Sequence, residues 1–317
     1  MTEDARHRKF FFNTQKRNFA RCLHYSLNCT RPPIRAHSIQ NSRVLDLIHA
    51  DGQVLMPRYR IEGDKPVLEL AKIGRNQAST FTGLCSKHDN EIFKIIDTQP
   101  LDVDSEEHLR LLAYRSVMRE LHTTIEQANR FMSLDEELTR AAGTDPQAAV
   151  TLAFLYALEF YKKAHNVFRY RGKHFDTPIQ QGKPPDLKHS VLELPNQTPI
   201  LAVSALFSTS HTVSGDIVGP TLNVVPLSDK RTAVILSCPS ELEDSVKGAL
   251  ENVCQAEDER LRHEISKLII QRVENFALSP KHFNSWSIRK QKRIVQEFER
   301  ALFKPEPLQD HEDLMLF

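Results

Sequence analysis

The sequence predicts an α+β protein in three parts, and three observations carry that reading. Two short-spaced groups of cysteine and histidine lie within the first 88 residues. Apolar residues recur at helical spacing from Asp104 onward, and after the linker ending at Pro185 short apolar runs alternate with turn residues. The expected division is a cysteine-bearing module over residues 1–98, a helical bundle over 99–180, and a region over 181–317 with a small sheet of about four strands and flanking helices.

Taken in order, residues 1–20 form a basic leader. Cys22 to Cys29 is a tight loop, and Arg31-Pro32-Pro33 imposes an extended or turn conformation after it. Val44, Leu45, Leu47 and Ile48 fit a short helix, and Asp51-Gly52 marks a turn. Gln53–Ile61 and Val67–Ile73 read as two strands around Gly63-Asp64-Lys65-Pro66. Asp104 with Glu107 resembles a capping box, followed by Leu109, Leu112, Val117, Leu121 and Ile125. A second helix is expected from Ser133 with Glu136, and a third from Pro146 to about Phe168. Gly172–Pro185 reads as a polar linker. Ser190–Leu194, Ile200–Phe207, Thr221–Leu227 and Thr232–Cys238 are strand candidates. Helical segments follow over Ser240–Ala277 and Ser285–Phe303, with a frayed tail after Pro305.

Composition narrows the function classes. The chain has 317 residues, 40% of them hydrophobic and 26% charged, as in ordinary soluble proteins. No apolar run approaches the roughly 18 residues of a membrane span, and the polar N-terminus lacks a secretory core, so a cytoplasmic protein is expected. The net charge of +1 conceals an asymmetry: residues 1–97 hold 16 Lys and Arg against 10 Asp and Glu, leaving 26 against 31 for the remainder. A basic N-terminal module suits a polyanion partner, expected to be nucleic acid and DNA in particular. The region after residue 100 is the expected site of a protein partner or a homo-oligomer contact. Five cysteines do not make an even disulfide set. No phosphate-binding glycine loop is present, and Ser208-Thr209-Ser210-His211 lacks a nucleophile-elbow context. Arg58-Tyr59-Arg60 and Arg169-Tyr170-Arg171-Gly172-Lys173 interleave aromatics with cations, a pattern that can track a nucleic-acid backbone.

The informative spacing is Cys22-x6-Cys29, then His37, then Cys85-x2-His88. Zinc takes four thiolate or imidazole ligands in a tetrahedron, and two short-spaced pairs supply them at small cost in chain entropy. Cys22, Cys29, Cys85 and His88 are the expected ligands of a structural Zn²⁺. An alternative set exchanges Cys22 for His37.

The same residues carry a family resemblance. A cysteine pair, then Pro33-Ile34-Arg35-Ala36-His37-Ser38-Ile39-Gln40, then Cys85-Ser86-Lys87-His88-Asp89-Asn90 resembles the HNH endonucleases, whose zinc modules are of treble-clef, ββα type. The resemblance covers about residues 20–95. It implies that His37 is the general base activating water, and that Asp89 or Asn90 occupies the later metal-contacting position at the helix start. It further implies a catalytic Mg²⁺ or Mn²⁺ and a role in bacterial defence against foreign DNA. Two departures stand out: Ala36 occupies the place where an acid often precedes the histidine, and about forty residues separate His37 from Cys85. The competing expectation is a zinc-stabilised interaction protein without catalysis.

Overall fold

The computed structural model describes residues 19–26, 28–62, 65–142, 151–194, 198–227, 230–303 and 314–317. The leader up to residue 18, the Gly63-Asp64 half of the hairpin turn, the expected helix start at Pro146 and the tail over 304–313 lie outside the described residues. Within them the chain is a mixed α+β protein, as expected.

Its centre is a seven-stranded antiparallel sheet. In chain order the strands are β1 (Ala36–His37), β2 (Gln53–Glu62), β3 (Lys65–Gly74), β4 (Thr80–Phe81), β5 (Leu187–Leu194), β6 (Leu201–Leu206), β7 (Ser210–His211), β8 (Ile217–Val218), β9 (Thr221–Pro226), β10 (Thr232–Pro239) and β11 (Phe276–Leu278). The large sheet runs β3-β2-β11-β6-β9-β10-β5, while β1 pairs with β4 and β7 with β8. The helices of six residues or more are α1 (Ser86–Thr98), α2 (Glu106–Ala142), α3 (Leu152–Arg171), α4 (Glu243–Ala249), α5 (Asp258–Arg272), α6 (Pro280–Ser285) and α7 (Ile288–Phe303).

Both faces of the sheet are buried, and the alternation of side chains shows it. Leu201, Val203, Leu222, Val224, Val234, Leu236, Phe276 and Leu278 share one core with Leu261, Ile265 and Ile269 of α5 and with Ile294 and Phe298 of α7. Ala202, Val225, Ala233, Ile235 and Ala277, one position out of phase, face the other way with Val44, Leu45, Ile48 and Leu109. A third core joins Phe93 and Ile96 of α1 to Tyr114, Val117, Met118 and Leu121 of α2 and Val167 of α3, and includes Cys22, Leu23, Leu84 and Cys85.

Several expectations are corrected. The sheet has seven strands, because β2 and β3 join it: Leu55 of β2 pairs with Leu278 of β11. The stretch read as helix up to Ala277 turns into β11 instead, since Val273, Phe276 and Leu278 bury against the sheet. The two helices expected on either side of Ser133 are one helix of 37 residues. No glycine or proline interrupts this stretch, and a lone serine is tolerated inside a helix. Ser105, rather than Asp104, serves its N-terminus, with its Oγ accepting from the His108 amide at 3.4 Å. The first described turn of α3 is capped by Thr151, whose hydroxyl accepts from the Phe154 amide at 3.1 Å. The expected linker after α3 is helical over Gly172–Asp176 and Thr177–Gln180. Among the described residues no helix is long and apolar enough to cross a membrane.

Candidate metal centre

The strap β1–β4 and the start of α1 bring the two ligand pairs together. Pro33 bridges Cys85, Ala36 pairs with Phe81 and His37 with Thr80, so the chain after the Cys22–Cys29 loop runs antiparallel to the segment entering α1. Cys85 stands immediately before α1 and His88 lies in its first turn. Leu23 N–H donates to the Gly83 carbonyl at 2.7 Å, which docks the loop on the same segment. The ligand atoms of Cys22, Cys29, Cys85 and His88 all lie within 4.8 Å of one another, close enough to hold a metal ion. His88 Nδ1 is 3.4 Å from Cys22 Sγ and 3.5 Å from Cys85 Sγ, and the Sγ atoms of Cys29 and Cys85 are 3.8 Å apart. Cys22 rather than His37 completes the group.

The environments of the thiols differ. Burial raises the Cys22 thiol to about 11, although amides of Cys85 and His24 oppose it. Burial also pushes the Cys85 thiol up, but the amide of His88 and the thiols of Cys29 and Cys22 outweigh it and the net shift is downward. An amide-rich helix start favours a thiolate in this way. His24 was not singled out by its spacing. Its ring stacks on His88 with centroids 3.7 Å apart, and burial followed by the His88 charge lowers it to about 4. The only sequence signal for it is its place inside the six-residue gap between the first two cysteines.

His37 occupies a separate place along the strap. Four residues beyond Pro33, it sits about 13 Å from the level of Cys85 at the usual strand rise. Its Nε2–H donates to the Arg75 carbonyl at 3.1 Å, which leaves Nδ1 as the acceptor nitrogen. Burial lowers its pKa below the ordinary histidine value; the Arg75 carbonyl and Asp97 oppose this and Arg115 adds to it. Asp89, Phe93 and Ile96 lie at i, i+4 and i+7 on α1, so Asp89 shares the helix face that packs inward. Burial raises its carboxyl, with Arg115 opposing and Asp97 adding. His37 and Asp89 thus both feel one ion pair, in which Arg115 of α2 grips Asp97 of α1 with two hydrogen bonds of 2.7 and 2.8 Å. Arg115 also lies over the Phe93 ring, 4.2 Å from its centroid. Asn90 is exposed on α1.

Position along the strap is fixed from the sheet side. Asn275, just before β11 and fully buried, donates through Nδ2 to Ser38 Oγ at 2.9 Å and to the Ser204 carbonyl at 2.7 Å. Truncation to alanine leaves a buried hydroxyl and carbonyl short of a donor. Asn275→Ala is therefore expected to cost about 1–3 kcal/mol. Urea denaturation measures it as a fall in midpoint at unchanged slope.

Beside the strap, between β4 and α2, lies a cleft of about 370 Å³ whose lining includes Arg35, Thr82, Arg119, His122, Glu126 and Arg130. Arg119 approaches Glu120 at 3.6 Å and Arg130 pairs with Glu126 at 3.1 Å. Burial lowers His122 to about 4. Its Nε2 lies 3.0 Å from both the Phe19 carbonyl and Thr82 Oγ1.

In the second aromatic–cation run the middle residues, Tyr170 and Arg171, point into the fold. Tyr170 is buried with its hydroxyl donating to the Gly219 carbonyl, Arg169 pairs with Asp216, and Lys173 pairs with Glu241. Arg171 is wholly buried: Nε donates to Asp176 at 2.8 Å and Nη1 to the Leu23 carbonyl at 2.9 Å. This latch ties the residue after Cys22 to the end of α3. In the first run Arg58 is exposed, while the side chains of Tyr59 and Arg60 lie outside the described residues. Comparison with family models, with curated proteins and with solved structures finds no match.

Proposed function

We propose that the four-residue centre holds a structural Zn²⁺ in a treble-clef module, and that this module supports a nuclease site of HNH type at His37. The spacing of the ligand atoms supports the metal. Bonds of about 2.3 Å to sulfur and 2.0–2.1 Å to nitrogen at tetrahedral angles place two sulfurs about 3.8 Å apart and a sulfur and a nitrogen about 3.5 Å apart. The observed separations of 3.8, 3.5 and 3.4 Å match those edges. A ligand loop, a two-stranded strap and a helix opening on the second ligand pair is the chain order of a treble clef. The forty-residue separation between His37 and Cys85 is no obstacle, because β2 and β3 leave the strap to join the central sheet and β4 returns to pair with β1.

One observation carries the catalytic reading: the charges of a single ion pair, Arg115–Asp97, act on both His37 of the strap and Asp89 on the inward side of α1. The imidazole is neutral at neutral pH and its Nδ1 is the acceptor, as a general base requires. Asp89, with its carboxylate, is the group to hold a divalent cation. Mg²⁺ or Mn²⁺ bound there would neutralise charge on a scissile phosphate. Arg35, Arg119 and Arg130 outnumber Glu126 in the adjoining cleft, which suits a nucleic-acid backbone. A role in defence against foreign DNA follows from the family likeness alone.

The test is plasmid nicking in Mg²⁺ or Mn²⁺ with metal analysis on the same samples. His37→Ala is expected to keep its zinc and to lose about 10²–10⁴-fold in nicking rate, the usual contribution of a general base. Zinc lost from His37→Ala would make His37 a ligand. A wild type that never nicks would leave the second reading, an interaction protein stapled by zinc. That reading is favoured by the Arg171 latch and the shared core, which build the metal centre into the body of the fold.

A further inference from the structure

Arg119 of α2 lines the cleft beside the strap, and the next residue, Glu120, opens into a second cleft of about 380 Å³. That volume falls in the roughly 300–1,000 Å³ range of small-molecule sites. Local geometry brings charge of both signs to it. On α3, Lys163, Asn166 and Val167 stand at i, i+3 and i+4 and share the face turned to the cleft. After α5 the backbone is extended at Val273, which sets Arg272 and Glu274 on one side of the chain, both lining the cleft. Phe207, Ile217 and Phe298 supply an apolar wall. The charged groups are uncommitted. Among the described residues no hydrogen bond reaches the Glu120 carboxylate, and the one ion pair it makes is with Arg119 at 3.6 Å. Lys163 lies over the Phe160 ring, 5.0 Å from its centroid, and among the same residues neither it nor Arg272 pairs with Glu120 or Glu274.

We propose that this cleft binds a free α-amino acid with an apolar side chain. Charge balance selects a zwitterion: two carboxylates and two cations face one space, and a ligand that carries both signs at zero net charge complements all four. A phosphorylated ligand would set its negative charges against Glu120 and Glu274, and a polyamine would set its positive ones against Lys163 and Arg272. The ammonium belongs on Glu120, the most enclosed of the four with its side chain 28% exposed, where the Glu274 charge also acts. The ligand carboxylate belongs on Lys163, assisted by the exposed Arg272, in charge-assisted hydrogen bonds stronger than neutral ones. Phe207, Ile217 and Phe298 receive the apolar side chain. Burial raises the Glu120 carboxyl to about 7, with Arg119 and Lys163 opposing and Glu274 adding. An arriving ammonium therefore competes with a proton for the same carboxylate.

The test is titration calorimetry of the full chain at pH 8 with L-phenylalanine, beside phenethylamine, which lacks the carboxylate, and 3-phenylpropionate, which lacks the amine. Phenylalanine is expected to bind, and each analogue to bind roughly tenfold or more weakly. Glu120→Gln keeps the shape of the side chain without its charge and is expected to raise the Kd of phenylalanine roughly 10–100-fold. Lys163→Met, at an exposed position, should weaken phenylalanine by a similar factor while leaving phenethylamine unaffected. No binding of phenylalanine at millimolar concentration overturns the proposal, as does binding that both substitutions leave intact, or an amine that binds as tightly as the amino acid. Lowering the pH from 8 to 6 should weaken binding by the wild type and not by Glu120→Gln. A pH dependence that survives the substitution belongs to His211, which also lines the cleft, and overturns Glu120 as the seat of the ammonium.

Discussion

With Zn²⁺ held as proposed, Cys85→Ser is expected to release it, with zinc content falling from one ion per chain to near zero, and to destabilise the protein far beyond the ~1 kcal/mol of a typical substitution. Structural zinc contributes an apparent 10–16 kcal/mol to isolated finger peptides. In this chain Cys22, Leu23, Leu84 and Cys85 share a core with α1, α2 and α3, so part of the module stays packed without the ion and the loss is correspondingly smaller. The change appears as a lower midpoint of thermal unfolding, about 2–4 °C for each kcal/mol in a chain of this order of size. Cys254→Ser is the control: this half-buried thiol belongs to the core below α5, and its loss should leave zinc content unchanged. Binding releases protons from the thiols, above all from Cys22, which burial holds at about 11 in the free protein. Apparent affinity should therefore fall as the pH is lowered. Full zinc retention by Cys85→Ser would overturn the ligand assignment.

The second large effect belongs to Arg171. Its guanidinium is wholly buried between Asp176, the Leu23 carbonyl and Met118, and Asp176 also accepts from the Tyr114 hydroxyl at 2.8 Å. Arg171→Met removes the cation and strands a buried carboxylate, an expected cost of about 3–5 kcal/mol. The pH dependence has a definite sign. Burial raises the Asp176 pKa in the folded protein while Arg171 holds it down, so without Arg171 it rises further. A carboxyl with a folded pKa above its unfolded one binds protons more tightly when folded, so its contribution to stability rises as pH falls. The deficit of Arg171→Met relative to wild type should thus shrink from pH 7 towards the acid side. Arg171→Met/Asp176→Leu should recover much of the loss, since no buried charge is left unpaired. A deficit that stayed constant with pH would place the cost in packing around Met118 instead. The latch also reaches the metal centre through Leu23, so Arg171→Met should weaken zinc retention against a chelator, with all four ligands intact.

Residue order alone reached the four-residue cluster because the two pairs are local: Cys22 and Cys29 share a loop, and Cys85 and His88 share a helix start. It also located β5, β6, β9 and β10 to within a few residues, since each is a short apolar run bounded by turn residues. What it left open was partnership across long separations. Periodicity shows that Gln53–Ile61 is a strand but not that Leu55 meets Leu278, and so the hairpin was expected in the N-terminal module. Arg169 to Lys173 read as a solvent-facing cationic run because arginine is costly to bury without partners. Asp176, five residues on, and Leu23, far back in the chain, supply those partners only once α3 has packed against the metal loop. His37 was compatible with ligand or base by spacing. The strap pairing with β4 set it well away from the thiols and turned its ring towards the Arg75 carbonyl. Local chemistry was thus determined by the sequence itself, while the side chains that share a site were decided by pairings between segments hundreds of residues apart, whose energies appear only when the sheet and helices close on one another.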